Sequence, residues 1–161
     1  MKGPALTLAS VLIAIASPSA AASRGASFLK EAMQGDNSET TLGTIAAKRG
    51  ASADVRAFGR MLSTDHRQGK AQAAAVARRL HVPVTNEMAG EAIAERAKLA
   101  RLRGRSFDRE FARYMVDDHH KDIAKFNAEA SSRDPAAVVA LAKQTLPVLR
   151  KHFATAERLA R

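Results

Sequence analysis

The sequence predicts an all-α protein, a four-helix bundle with one long crossover between its second and third long helices. Hydrophobic residues make up 46% of the chain, and many of them are alanine, whereas aromatic residues make up only 4%. This composition suits closely packed helices better than β-sheets, which favour β-branched and aromatic residues. Glycine and proline are sparse, with 9 and 5 residues in a chain of 161. Few turns therefore interrupt the helices.

The first 22 residues have the pattern of a secretory signal peptide. Lys2 precedes an apolar run over Ala5–Ala16, Pro18 breaks that run, and small residues follow at Ala20–Ala22. We expect cleavage near Ala20–Ala22. The run is too short to cross about 30 Å of hydrocarbon as a helix. We therefore predict a periplasmic or secreted product, residues 23–161, that forms a single domain without a membrane span.

The first two helices form a predicted hairpin. The first helix runs from about Phe28, behind an N-cap at Ser27, to Arg49, and Gly50 ends it. Gly35-Asp36-Asn37 weakens the middle of this helix, so a kink or a second helix start is an open alternative. Apolar residues at steps of three, four and seven predict a second helix over about 52–80.

A long connection over residues 81–105 follows, and it carries a short predicted helix at about 87–101. The third long helix spans about 106–130. Asp134 as N-cap and Pro135 at the first helical position open the fourth, in which Pro147 predicts a kink. The connection is long enough to return the chain to the other end of the bundle, which makes the second and third long helices parallel. This is the ferritin-like arrangement.

One layer of the predicted bundle collects acidic and imidazole side chains. A phenylalanine, six residues and an Asp-His pair occur twice, ending in Asp65-His66 and in Asp118-His119. Helical phase places both pairs and His152 on or beside buried faces. Their depths along the bundle agree within about 8 Å of helix rise. The candidate site residues are Glu39, Asp65, His66, Asp118, His119 and His152.

Two interpretations of this layer stay open. Three histidines with carboxylates are a reasonable ligand set for a divalent transition metal. The same groups can instead form a buried hydrogen-bonded layer that fixes helix register, in which the aspartates orient the histidines. Glu39 has a further alternative, because it follows Asp36 by three positions and suits a cap of a restarted helix. Asp117 and His120 are expected on the shoulder of their helix.

The net charge of the chain is +10, and it becomes +9 when removal of the signal peptide takes away Lys2. Such a surface attracts polyanions. The basic residues are scattered and lack interleaved aromatic residues, so we expect no nucleic-acid binding. Anionic polymers of the cell envelope, or an envelope protein, are the expected partners. The chain has no cysteine and no recognisable catalytic motif, so the sequence assigns no enzymatic activity and favours a non-enzymatic protein.

Four segments carry a family resemblance: FLKEAMQGDNSETTLGTIAAKRG, VRAFGRMLSTDH, FDREFARYMVDDHHKDIAKF and LAKQTLPVLRKH. They resemble a family of secreted bacterial proteins whose domain is of unknown function and whose members are often labelled membrane or outer-membrane proteins. The likeness covers about residues 26–158 and implies a ferritin-like four-helix fold with no established activity. By resemblance, the family's characteristic polar positions are Glu39, Asp65, His66, His119 and His152.

Ferritin-like diiron proteins carry a Glu-x-x-His pair on each of two helices, and this sequence departs from that pattern. Ser63 and Leu149 stand three residues before His66 and His152. The resemblance therefore does not extend to diiron oxidase or iron-storage chemistry. The sequence predicts an exported bundle of unassigned function that binds a transition metal in its core. The alternative is a non-enzymatic envelope protein with a basic binding surface and a structural polar layer.

Overall fold

The computed structural model describes residues 20–161, which form five α-helices. The helices are α1 (Ala20–Arg49), α2 (Ala53–Arg79), α3 (Gly90–Arg101), α4 (Gly104–Ala130) and α5 (Ala136–Ala160). Four of them are long and α3 is short, which confirms the predicted all-α class and bundle. None of the helices in residues 20–161 combines the length and apolarity needed to cross a bilayer. The predicted signal peptide, residues 1–22, lies outside the described residues except for its last three.

Two predicted helix starts are wrong. α1 begins at Ala20, so Ser27 lies inside the helix and caps nothing. α5 begins at Ala136 with Pro135 as its N-cap residue. The predicted cap, Asp134, is buried and instead pairs with Arg24 of α1 at 3.7 Å. At Asp134 the contact with α1 therefore replaces the expected cap.

α1 also passes through Gly35-Asp36-Asn37 without a break, which excludes the alternative of a second helix start there. The side chains here serve tertiary contacts. The amide of Asn37 donates hydrogen bonds to the carbonyl oxygens of Thr85 and Glu87 in the crossover, at 3.3 and 2.9 Å. Since α1 does not restart, Glu39 is not a cap.

Contacts at the ends of the bundle establish the helix directions. At one end, Arg49 Nη2 donates to the carbonyl of Leu102 at 2.9 Å. The amides of Ala51 and Ser52 donate to the Asp108 carboxylate, both at 2.8 Å. The end of α1 and the starts of α2 and α4 therefore share this end. It follows that α2 and α4 are parallel and that the crossover runs the length of the bundle, as predicted.

α1 and α2 pack unusually closely because glycines face each other. A Cβ atom on Gly59 would lie 2.5 Å from both the Ala47 nitrogen and the Gly43 oxygen, closer than any side chain tolerates. Glu39 precedes Gly43 by one helical turn, and His66 follows Gly59 by about two turns. The close approach therefore brings Glu39 of α1 and His66 of α2 onto adjoining faces.

The core is divided into two apolar clusters. The first contains Phe28, Met33, Phe126 and Leu149, and the second contains Leu42, Phe58, Phe107 and Phe111, each with further aliphatic residues. Buried polar side chains from all four long helices lie between them. Burial of the apolar clusters stabilises the fold, whereas the polar layer must satisfy its own hydrogen-bonding groups or cost free energy.

Candidate metal centre

The polar layer contains one fully or nearly buried side chain from each long helix. Glu39, His119 and His152 are 0% exposed, and His66 is 5% exposed. The centroids of the three imidazole rings lie 5.2, 5.4 and 5.9 Å apart. Each ring offers one nitrogen within 4.8 Å of a nitrogen of the other two. The layer thus gathers three imidazoles and a carboxylate where the four helices meet.

Each histidine uses one ring nitrogen for a contact on the outside of the cluster. Nδ1 of His66 and His119 and Nε2 of His152 make these contacts, each at 2.9 Å, with Asp36 Oδ1, the Met115 carbonyl and Asp65 Oδ2. A carbonyl oxygen only accepts, so Nδ1 of His119 carries the proton and Nε2 bears the lone pair when the ring is neutral. These outer contacts hold the orientation of all three rings.

The remaining nitrogen of each ring is buried without a hydrogen-bond partner. These atoms are Nε2 of His66, Nε2 of His119 and Nδ1 of His152, and both carboxylate oxygens of Glu39 share this condition. Glu39 Oε2 lies 2.9 Å from Nε2 of His66 and 3.3 Å from Nε2 of His119, but neither pair is aligned for a hydrogen bond. Each buried polar group left this way costs about 1–3 kcal/mol.

The charges of Glu39 and His66 stabilise each other. Burial alone would raise the pKa of Glu39, but the positive charges that His119 and His66 carry at low pH, where Glu39 titrates, outweigh it and lower the pKa to about 2. Burial alone would lower the pKa of His66, yet Glu39 and Asp36 hold that pKa well above its usual value. In the metal-free protein at neutral pH, these two residues therefore form an imidazolium–carboxylate pair.

The other two histidines are uncharged at neutral pH. Burial lowers the pKa of His119, and it lowers the pKa of His152 to about 4. A second charge next to the His66 imidazolium is also unfavourable, and this lowers both pKa values further. Neutral imidazole is the form that binds a metal ion.

Two more carboxyl groups lie on the α4 side of the cluster. Burial and the charge of Glu39 raise the pKa of Asp118 to about 8 and that of Asp122 to about 7. Asp118 offers an oxygen within 4.8 Å of ligand atoms of Glu39 and His119. Asp118 is protonated in the metal-free protein at neutral pH, and it is then able to donate a hydrogen bond to Glu39.

The arrangement suits a four-coordinate metal ion. With metal–ligand distances near 2.0–2.1 Å, neighbouring ligand atoms of a tetrahedral zinc site lie about 3.3 Å apart. The distances from Glu39 Oε2 to the two histidine nitrogens, 2.9 and 3.3 Å, are close to that value. Histidines that bind metal usually donate their second nitrogen to a carboxylate or carbonyl group, as all three do here.

Four of the six predicted site residues meet in this layer: Glu39, His66, His119 and His152. Asp118 lies beside them, whereas Asp65 lies on the outer side, where it contacts His152. The sequence analysis missed the role of Asp36, which holds His66. The signal was its position three residues before Glu39, which places both on one face of α1.

Asp117 and His120 were expected on the shoulder of their helix, and the structure places both outside the site. Asp117 is exposed and pairs with Arg113 at 2.7 Å, and His120 is also exposed on α4. These two residues have the spacing of a Glu-x-x-His pair, but both lie on the side of α4 that faces away from the core. His81 lies in the crossover with a φ of 57°.

Comparison with known proteins identifies the family of the chain. No curated protein and no solved structure matches it. A family model described as domain of unknown function (DUF4142) matches residues 12–159, which include every residue of the cluster. This match confirms the resemblance to a domain of unknown function. The chain belongs to the DUF4142 family.

Proposed function

We propose that this protein binds one divalent transition-metal ion through His66, His119, His152 and Glu39. One observation carries the proposal: every histidine of the cluster holds an outer acceptor with one nitrogen and turns its other, buried nitrogen toward the shared centre beside Glu39. Once His66 loses its proton, such an arrangement presents three lone pairs and a carboxylate to that centre.

The alternative is a polar layer that only fixes the register of the helices. A layer with that role is expected to satisfy its own donors and acceptors, because unpaired polar groups in a low-dielectric core are costly. Here the inner nitrogens of His119 and His152 have no hydrogen bond, and Nε2 of His66 contacts Glu39 only as a charge pair without hydrogen-bond alignment. A single cation would satisfy ligand atoms of all four residues at once, which favours a metal site.

The ligand types restrict the metal. Three imidazoles and one carboxylate favour zinc, copper(II) and neighbouring transition metals over calcium and magnesium, which prefer oxygen ligands. Because His66 is protonated in the metal-free protein, binding must release a proton, and metal affinity is expected to rise with pH.

We infer further that the metal is bound outside the cytoplasm. The support is the signal-peptide pattern of residues 1–22. Mass spectrometry of the protein recovered from the periplasm and medium tests export. A chain that begins near residue 21–23 is the expected result, and an intact Met1 would contradict it.

The metal site is tested by elemental analysis of untagged mature protein. The wild type is compared with His66→Ala/His119→Ala and with the control His81→Ala/His120→Ala, which removes the histidines of the crossover and of the α4 surface. We expect about one metal ion per chain in the wild type and in the control, and none in the cluster variant.

Circular dichroism establishes that the cluster variant keeps its helices, and His152→Ala provides an independent single change. If the wild type holds no metal even after loading with zinc, copper, iron or manganese, the proposal is wrong. Equal metal content in the cluster variant and in the wild type would also exclude this site.

A second candidate function rests on the charge of the surface. The exposed side chains of Arg101, Arg105 and Arg109 lie near the start of α4, in a chain of net charge +10. We propose anionic envelope polymers as its ligands, since a basic surface attracts them. Salt-sensitive binding to such a polymer that persists in His66→Ala/His119→Ala would support this candidate, and it is independent of the metal site.

A further inference from the structure

Two cavities approach the histidine cluster from different sides. One, the α2/α5 cleft, has a volume of about 190 Å³ and is lined by residues of α1, α2 and α5, among them Asp36, Asp65 and His66. The other, the α3/α4 cleft, has a volume of about 300 Å³ and reaches Asp118 and Asp122 from the crossover side. Each is far larger than the roughly 15 Å³ that one water molecule requires.

Oxygen ligands predominate among the polar side chains of the α2/α5 cleft, and His66 is the one cationic group in its lining. Besides two carboxylates, its lining includes the side chains of Gln68, Gln72, Gln144 and Thr145, and it contains no lysine or arginine. This is unusual in a chain with 26 such residues. Amide, hydroxyl and carboxylate oxygens suit a hydrated cation that has not yet exchanged water for imidazole.

The carboxylates of this cleft touch the cluster directly. Asp36 contacts Nδ1 of His66, and Asp65 contacts Nε2 of His152, each at 2.9 Å. Asp65 retains 31% exposure of its side chain and Asp36 retains 13%. A cation in the cleft would thus meet negative charge that is already linked to two of the three histidines.

The α3/α4 cleft differs because the acidic side chains of its lining share it with two lysines. Lys121 and Lys125 belong to its lining, and they pair with Glu91 and Glu31 at 2.6 and 2.9 Å. Two ammonium groups repel an approaching metal ion, and each ion pair would have to open to widen the passage.

We propose that the metal ion reaches the histidine cluster through the α2/α5 cleft, guided by Asp36 and Asp65, and leaves by the same route. This inference rests on the metal site proposed above. It assigns the cleft a function in transfer, separate from the residues that hold the ion.

The test uses two matched substitutions on the full mature protein. Gln144 is an exposed residue of the α2/α5 cleft, and Gln34 occupies a comparable place in the α3/α4 cleft. Gln144→Trp and Gln34→Trp each place the same bulky side chain in one of the two cavities. Stopped-flow absorbance follows Co²⁺ uptake, excess EDTA follows its release, and equilibrium titration gives the dissociation constant.

We expect Gln144→Trp to slow uptake and release together by about tenfold, which corresponds to a barrier about 1.4 kcal/mol higher. The dissociation constant should not change, because no ligand is altered. Gln34→Trp should exchange Co²⁺ at the wild-type rate. Val148→Trp, on another exposed residue of the α2/α5 cleft, should repeat the effect of Gln144→Trp.

Other results distinguish failure of the route from failure of the site. If Gln144→Trp and Val148→Trp exchange Co²⁺ at the wild-type rate while wild-type affinity is intact, the route is wrong and the metal site stands. Slow exchange in Gln34→Trp alone would assign the route to the α3/α4 cleft. A wild-type protein that does not bind Co²⁺ would overturn both proposals.

Discussion

The two Asp-His pairs are nearly equivalent in sequence, but only their histidines are equivalent in the structure. The preceding phenylalanines, Phe58 and Phe111, contact each other with ring centroids 6.0 Å apart. His66 and His119 repeat this relation two turns later, with centroids 5.9 Å apart. The aspartates diverge, because Asp65 contacts a histidine of another helix whereas Asp118 contacts none.

The difference arises from the helices that flank each pair. α2 packs against α5, which presents His152 to Asp65. α4 lies beside α1, which presents Glu39 to Asp118. One aspartate therefore orients an imidazole, and the other is a buried acid next to a carboxylate. A repeated motif specifies the direction of a side chain, but the neighbouring helix determines what that side chain does.

The largest expected effect that separates the two aspartates is on metal affinity. Asp65→Ala removes the acceptor that orients His152, and loss of such an outer partner typically weakens metal binding by 10–100-fold. Competition titration with a chromophoric chelator measures this loss. Asp118→Asn is the comparison, because asparagine resembles the protonated acid in shape and keeps a hydrogen-bond donor.

Asp118→Asn should bind metal with nearly wild-type affinity. If it weakens binding as much as Asp65→Ala does, then Asp118 is itself a ligand and the two aspartates have similar importance. Nearly unchanged affinity in Asp65→Ala would show that His152 does not depend on its outer contact. Either result would mean that Asp65 and Asp118 do not differ in their importance for metal binding.

A smaller effect is expected on the pH dependence of stability in the metal-free protein. Asp118 has a pKa of about 8 and Asp122 a pKa of about 7, against a usual value of 3.8. Since the folded state binds these protons more tightly, its stability is lost as pH rises through the raised values. Because the pKa of His66 is also raised, this residue likewise makes the stability fall as the pH rises above 6.5. The lowered pKa values of His119 and His152 make the stability rise with pH, but only below pH 6.5.

The melting temperature in EDTA should therefore fall between pH 6.5 and pH 8, by several degrees for a domain of this size. Asp118→Asn cannot ionise, so its melting temperature should fall less over the same interval. Thermal unfolding followed by circular dichroism at the two pH values gives the comparison. A wild-type melting temperature that increases with pH would contradict the assignment of buried, protonated aspartates.

The smallest effect is expected next to the second pair, on the surface of α4. His120 follows His119 directly but is exposed, and Asp117 is exposed in an ion pair with Arg113. Asp117→Ala and His120→Ala should leave metal affinity unchanged and alter the free energy of unfolding by no more than about 0.5 kcal/mol. Chelator competition and urea unfolding measure both quantities, and a loss of metal in either variant would place the site on the wrong face of α4.

The sequence pattern correctly predicted those features of the bundle that depend on a single helix or a single connection. The apolar repeat gave the extent of α2, and the length of the connection gave the parallel direction of α2 and α4. The predicted starts of α1 and α5 were wrong, because the helix of α1 already extends past Ser27 and because Asp134 is buried against Arg24 of α1. Propensity is a weak guide at such positions.

The sequence by itself determined the helical periodicity, and hence that His66, His119 and His152 face the interior at one depth. That follows because phase and rise along a helix depend only on residue number. Only the tertiary structure decided the partners: Asp36 for His66, Asp65 for His152, the Met115 carbonyl for His119, and no acceptor for the nitrogens between them. Those contacts depend on how closely and in what rotation the helices pack. The packing distance and the rotation of the helices are set jointly by the glycine contact between α1 and α2 and by the side chains of four separate helices.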